Sequence, residues 1–114
     1  MQIMIVEDEF ITCEYFSQHI QKQLGYEAAT AHSKKEALDL VGKVKPDVIF
    51  MDIAMETSTA GIEACQEIKA DHPEIRIYLV SAYTEENFKS SLITCKHNGY
   101  IDKTQFTDVV ADYL

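Results

Sequence analysis

Positive charge is scarce in this 114-residue sequence. Ten lysines and arginines face nineteen aspartates and glutamates, a formal net charge of -9 at pH 7 with histidine neutral. Affinity for a nucleic-acid backbone rests on Lys and Arg displacing counterions, so the deficit excludes direct nucleic-acid binding. It suits a site for a metal cation. Cysteine is also scarce and odd in number, and Cys13, Cys65 and Cys95 contain no C-x-x-C pair, which points to reduced core thiols. No window of 18 or more apolar residues occurs, and no basic segment followed by a long apolar one opens the chain. The expected protein is soluble and cytoplasmic, with no membrane partner. Linkers, low-complexity stretches and internal repeats are missing. What is present, 46% hydrophobic and 25% charged residues, is the composition of one globular domain spanning 1–114.

The stretch Val48-Ile49-Phe50-Met51-Asp52 organises the rest. A short uncharged run reads as a strand covered on both faces, as in a parallel sheet, and Asp52 ends it. Four more strands are predicted: Gln2 to Val6, Tyr26 to Thr30, Ile75 to Val80 and Gly99 to Ile101. Between them the apolar spacing turns helical. The first helix carries Phe16, Ile20 and Leu24 and stops at Gly25. Ser33 and Glu36 have the capping-box spacing ahead of Ala37, Leu40, Val41 and Val44, and Pro46 ends that helix. Gly61 opens a third with Ile62, Cys65 and Ile68. Thr84 caps a fourth with Phe88, Leu92 and Cys95. Thr104 begins a fifth with Phe106, Val109, Val110 and Tyr113 at i, i+3, i+4 and i+7. Five strand-then-helix units with short connections require an α/β fold: a single (βα)5 doubly wound parallel sheet.

Ligands of such sheets gather at the carboxyl ends of the strands. Strand 1 ends in Glu7-Asp8, strand 3 in Asp52, strand 4 in Ser81, and strand 5 just before Lys103. With strands about 4.8 Å apart, these groups share one pocket if strands 1, 3, 4 and 5 are neighbours. Three carboxylates there repel unless a cation lies among them, and Mg2+ is the natural hard, oxygen-seeking occupant. Asp52 then keeps an oxygen free to attack phosphorus, with the Lys103 ammonium and the Ser81 hydroxyl to meet the phosphoryl oxygens. Each residue also has a plainer use. Asp52 could cap a loop, Glu7 or Asp8 could cap the first helix, and Ser81 could be a turn residue. Lys103 could be a surface lysine and Tyr100 ordinary strand packing. A carboxylate ending an apolar strand favours function over structure. His19, His32, His72 and His97 have no metal-ligand spacing and read as surface residues.

Ile5-Val6-Glu7-Asp8-Glu9, Val48 to Ile53, Gly61-Ile62-Glu63-Ala64, Val80-Ser81-Ala82 and Gly99-Tyr100-Ile101-Asp102-Lys103, in this order and spacing, resemble the receiver domain of two-component response regulators. The resemblance covers essentially the whole chain. It implies a flavodoxin-like strand order 2-1-3-4-5 and Asp52 as phosphoacceptor for a sensor histidine kinase or phosphotransfer protein. It further implies Asp8 binding Mg2+ directly, Glu7 acting through water, and Ala54 lending its carbonyl. Ser81 and Lys103 would contact the phosphoryl group. Ser81 and Tyr100 would form a switch that remodels the face of helix 4, strand 5 and helix 5, which then controls a downstream effector or output domain, with a possible homodimer through the same face. Such a domain catalyses its own phosphorylation and autodephosphorylation. The position of Met1 suits a native start, so an output domain would follow Leu114.

The sequence departs from the family in several places. Lys103-Thr104 stands where Lys-Pro with a cis bond is usual, and the cost of a non-proline cis bond, about 2.5 to 4 kcal/mol, favours trans. The loop after Asp52 is one residue longer and has Glu56 in place of a proline. Ala54 and Tyr83 flank the phosphoacceptor and Ser81 as controls on water access. The rival readings are a degenerate receiver that only docks partners and a haloacid-dehalogenase-type phosphotransferase, which would want an Asp where Ala54 stands. A flavodoxin fits less well, for want of a hydroxyl- and glycine-rich loop after strand 1.

Overall fold

A computed structural model describes residues 1–82 and 95–114. Five parallel strands form one sheet in the order β2-β1-β3-β4-β5. They are β1 (Ile3–Val6), β2 (Ala28–Ala31), β3 (Val48–Asp52), β4 (Arg76–Ser81) and β5 (Gly99–Asp102). Helix α1 (Phe10–His19) follows β1 and runs into a wider turn over Ile20–Leu24, closed by Gly25 at φ 79°. Helices α2 (Lys34–Val44) and α3 (Ala60–Asp71) precede β3 and β4. The predicted fourth helix from Thr84, with Phe88 and Leu92, lies outside the described residues, as does Tyr83; Cys95 is buried.

Alternation along each strand divides the core in two. Met4, Val6, Ile49, Met51 and Leu79 pack beneath α2 and α3, against Ala37, Val41, Ile62, Cys65 and Ile68. Ile3, Ile5, Val48, Phe50 and Val80 face the other way, onto Cys13 and Phe16 of α1, Ile20 of the wider turn, Phe106 and Val110. Phe106 is the hinge of that second layer, stacked 4.2 Å from Phe16 and edge-on to Phe50 at 5.2 Å. Both faces of β1 and β3 are therefore dry, as expected of a parallel sheet.

Three local expectations are corrected. The fifth helix is not continuous: Lys103–Gln105 and Val110–Tyr113 are tight 3-10 turns around a single α-turn, Phe106–Val109. The segment is short, and its apolar residues are drawn down onto the sheet, which outweighs helical regularity. The second strand starts at Ala28 rather than Tyr26, because β1 begins at Ile3, whose partner is Ala28. The capping box at α2 is half formed. Ser33 Oγ accepts the Glu36 N–H at 3.1 Å, while the Glu36 carboxylate takes the Ser33 hydroxyl at 3.5 Å instead of a backbone N–H.

Candidate functional site

The register brings the predicted strand ends together. β1 runs out at Val6, and Glu7 is held in line by its N–H to Ala31 O at 3.0 Å, with its side chain buried. Asp8 is exposed beside it. Glu9, not Glu7 or Asp8, occupies the N-cap position of α1, and its own side chain makes no capping hydrogen bond. Glu7 Oε2 does accept the Glu9 N–H, at 3.3 Å. Asp52 ends β3 and is 5% exposed, deeper than a carboxylate goes without a reason.

The depth of Asp52 depends on α3. The α3 backbone approaches so closely at Gly61 that a Cβ there would lie 1.9 Å from Asp52 O, and the Gly61 N–H donates to Ile53 O at 2.8 Å. Glycine is required by contact rather than by φ.

Glu7, Asp8 and Asp52 each offer a carboxylate oxygen, and these oxygens lie within 4.8 Å of one another. Lys103 follows β5 and enters the group. Its Nζ forms an ion pair with Glu7 Oε1 and approaches Asp52 Oδ2 at 3.4 Å. The peptide bonds are trans throughout the described residues, Lys103-Thr104 included, and the ammonium still reaches both acids. Ser81 is buried at the end of β4, where its register partner is Asp102. Asp8, Asp52, Ala54, Met55, Ser81 and Lys103 line one cleft of ≈ 330 Å³. Tyr100 sits on β5, half-buried against the α2 and α3 side of the core.

The charges are out of balance. Burial, then hydrogen bonding to Glu7 and the charge on it, push the Asp52 carboxyl up to about 8. Burial also raises Glu7, but sharing hydrogen bonds with Asp52 and Lys103 outweighs it and leaves Glu7 below its ordinary value. The two acids thus compete for one proton. Burial and the neighbouring Glu7 raise Asp8 as well. Burial alone would lower Lys103, but Glu7 and Asp52 together hold it above the ordinary lysine value.

Two neighbours take partners that the sequence did not signal. His32 Nδ1 donates to Glu7 O at 2.9 Å, and its ring lies 4.0 Å from Phe10. The two residues are 25 apart in the chain and meet only through β1–β2 pairing. Glu56, the acid in the lengthened loop, is not one of the three clustered carboxylates; it accepts the Lys34 N–H at the start of α2. All four histidines are half-buried rather than freely exposed.

The donor set fits a hard divalent cation: three carboxylates, with a buried oxygen, Glu7 Oε1, that touches Lys103 yet lacks a hydrogen-bond donor in good geometry among the described residues.

Residues 3–113 match the family model for the response regulator receiver domain. The chain belongs to that family. The oxygen regulatory protein NreC of Staphylococcus haemolyticus is 32% identical over 104 residues, which cover 90% of this chain and 48% of that protein. Response regulator protein VraR of Staphylococcus saprophyticus is 26% identical over 115 residues, covering 100% and 54%. This receiver domain therefore spans about half the length of the curated relatives it matches. Among solved structures, a LuxR-family two-component response regulator from Aurantimonas sp. SI85-9A1 is similar with a TM-score of 0.86 and 26% identity, covering 97% of this chain and 79% of that one. TrrA of Thermotoga maritima, solved in complex with Mg2+ and BeF, is similar with a TM-score of 0.84 and 27% identity, covering 98% and 95%. No helix among the described residues of the receiver is long and apolar enough to cross a membrane.

Proposed function

We propose that this receiver domain is a phosphoacceptor switch that takes a phosphoryl group from a phosphohistidine onto Asp52. The observation that carries the reading is the convergence of Glu7, Asp8 and Asp52 oxygens within 4.8 Å, with Lys103 Nζ against Asp52. An Asp52 oxygen attacks phosphorus in line with the P–N bond. That bond breaks, the imidazole nitrogen leaves and takes up a proton, and an acyl phosphate remains. Lys103 leaves its pairing with Glu7 to meet the negative charge of the phosphoryl oxygens, and the Ser81 hydroxyl donates to another. Glu7, Asp8, Asp52 and the Ala54 carbonyl are the groups that would hold Mg2+. The bound ion supplies neutralising charge for the acids and the incoming phosphoryl group. Movement of Ser81 toward the phosphoryl group and of Tyr100 between outward and inward positions would then change the β5 face.

The outer face of α1 supports a protein as donor. Phe10 is 70%, Ile11 88% and Tyr15 60% exposed on the helix that follows the Glu7-Asp8-Glu9 turn. A sensor histidine kinase or phosphotransfer protein would dock there, in the cytoplasm. The signal would pass to an effector or an output domain, as the length of the relatives suggests. The test is intact mass after incubation with Mg2+ and acetyl phosphate. A phosphoryl adduct on the wild type and none on Asp52→Asn is the expected result; no adduct and no Mg2+ binding would leave a degenerate receiver that docks partners without phosphoryl transfer.

A further inference from the structure

The lengthened loop between β3 and α3 is tied down at a point that the acidic cleft does not explain. Glu56 is not one of the clustered acids; both of its oxygens instead accept the N–H of Lys34, at 3.2 and 3.0 Å. Lys34 is the first residue of α2, so its N–H is one of the donors that a helix leaves unpaired, and negative charge is favoured at that end. Ser33 Oγ already takes the Glu36 N–H, so two acceptors divide the start of the helix between them. The Lys34 side chain reaches the other way, with Nζ 2.7 Å from Glu67 and 3.6 Å from Glu63 on α3. One residue thus joins α2 to the loop and to the helix that follows it.

The loop residues between these anchors line the site. Ala54 and Met55 face the cleft with Asp52 and Lys103. Beyond them, Met55 N–H donates to Thr57 O at 3.0 Å, which closes the loop on itself. At the far end Gly61 is seated on the Asp52 backbone. Between Asp52 and Gly61, Glu56 holds the loop to a different element of the fold.

We propose that Glu56 is a positioning residue for the cleft: by capping α2 through the Lys34 N–H, it holds Ala54 and Met55 in place and so sets the affinity of the site for a divalent cation. The inference rests on the phosphoacceptor reading above. In this receiver a carboxylate clamp replaces a stiff proline loop, so the loop position depends on a hydrogen bond that solvent and salt can reach.

The experiment is a Mg2+ titration of the whole chain at fixed ionic strength, followed by backbone amide NMR shifts, with thermal unfolding of each metal-free variant. Glu56→Ala is expected to raise the Mg2+ Kd about tenfold, as loss of an outer partner of a metal site typically does. Glu56→Gln, which keeps an acceptor, should fall between that variant and the wild type. Ser33→Ala removes the other cap of the same helix; it should lower the unfolding temperature and leave Kd unchanged. Lys34→Pro deletes the N–H at a position where proline is tolerated, and Lys34→Met deletes only the side-chain ion pairs. Adding Glu56→Ala to Lys34→Pro should have no further effect, whereas adding it to Lys34→Met should still raise Kd. The proposal is overturned by a wild-type Kd in Glu56→Ala, by an undiminished effect of Glu56→Ala in the Lys34→Pro background, or by an equal rise in Ser33→Ala. A folded wild type that binds no Mg2+ would overturn the phosphoacceptor reading itself, and this inference with it.

Discussion

At the amino end of the sheet a cleft of ≈ 840 Å³ is lined by Lys45, Asp47, His72, Glu74 and Arg76, and Asp47 and Arg76 each have a hydrogen-bond partner close by. Asp47 accepts the Gln2 N–H at 2.7 Å, Arg76 donates to Tyr113 O at 3.3 Å, and His72 lies 3.6 Å from Glu74. At the carboxyl end the cleft is less than half that size, and three acids cluster there, two of them paired with the single ammonium of Lys103 among the described residues. The larger cleft closes the ends of the chain against the strands. The smaller one holds an excess of negative charge that a bound cation would relieve. Size therefore says little about where the chemistry lies, and unmet charge says much.

The contrast is broken most severely at Gly61. Gly61→Ala forces a Cβ onto the Asp52 carbonyl, so α3 or β3 must shift; a stability loss of more than about 3 kcal/mol is expected, read from the denaturant midpoint. Next comes Lys103→Met, which strips the cation from two buried acids. Metal-free stability should fall by about 2 kcal/mol, and part of the loss should return with Mg2+.

A third effect is set by pH. Asp52 titrates higher folded than unfolded, so the metal-free fold holds a proton that the unfolded chain has released, and stability falls as pH rises from about 4 toward 8. Asp52→Asn removes that loss. Its metal-free unfolding temperature should exceed that of the wild type by a margin that widens over this window and levels off above it. A constant margin would mean that Asp52 is ionised throughout, and the imbalance overstated. The smallest expected effect lies at the other end of the sheet. Gly42 on α2 borders the amino-end cleft, and a Cβ there meets nothing, so Gly42→Ala should stabilise by about 0.5 to 1 kcal/mol with no change in Mg2+ Kd.

Much of the site could be read from residue order, because each chemical group sits where a continuous apolar run stops. Asp52 after Val48–Met51, Glu7 after Ile3–Val6 and Ser81 at the end of β4 are marked by the same break in pattern. The reach of Lys103 could not be read. It depends on how β5 lies beside β4 and on the turn at Lys103–Gln105, and the expected single helix after β5 proved to be three short turns. Glu56 was legible as an extra acid near the site but not as the cap of α2, since its partner lies 22 residues earlier. His32 was missed because nothing in its own neighbourhood marks it.

The amino-acid sequence by itself determined the five strands, the first three helices between them, the dry parallel sheet and the residues that end its strands, since those follow from local periodicity, turn chemistry and the cost of leaving a charge in an apolar run. Tertiary structure alone decided that Glu7 and Asp52 share the Lys103 ammonium, that Gly61 must have no side chain, and that the Glu56 carboxylate bonds the start of α2 instead of joining the clustered acids. Those outcomes depend on distances of a few ångströms between elements far apart in the chain, which only their packing sets.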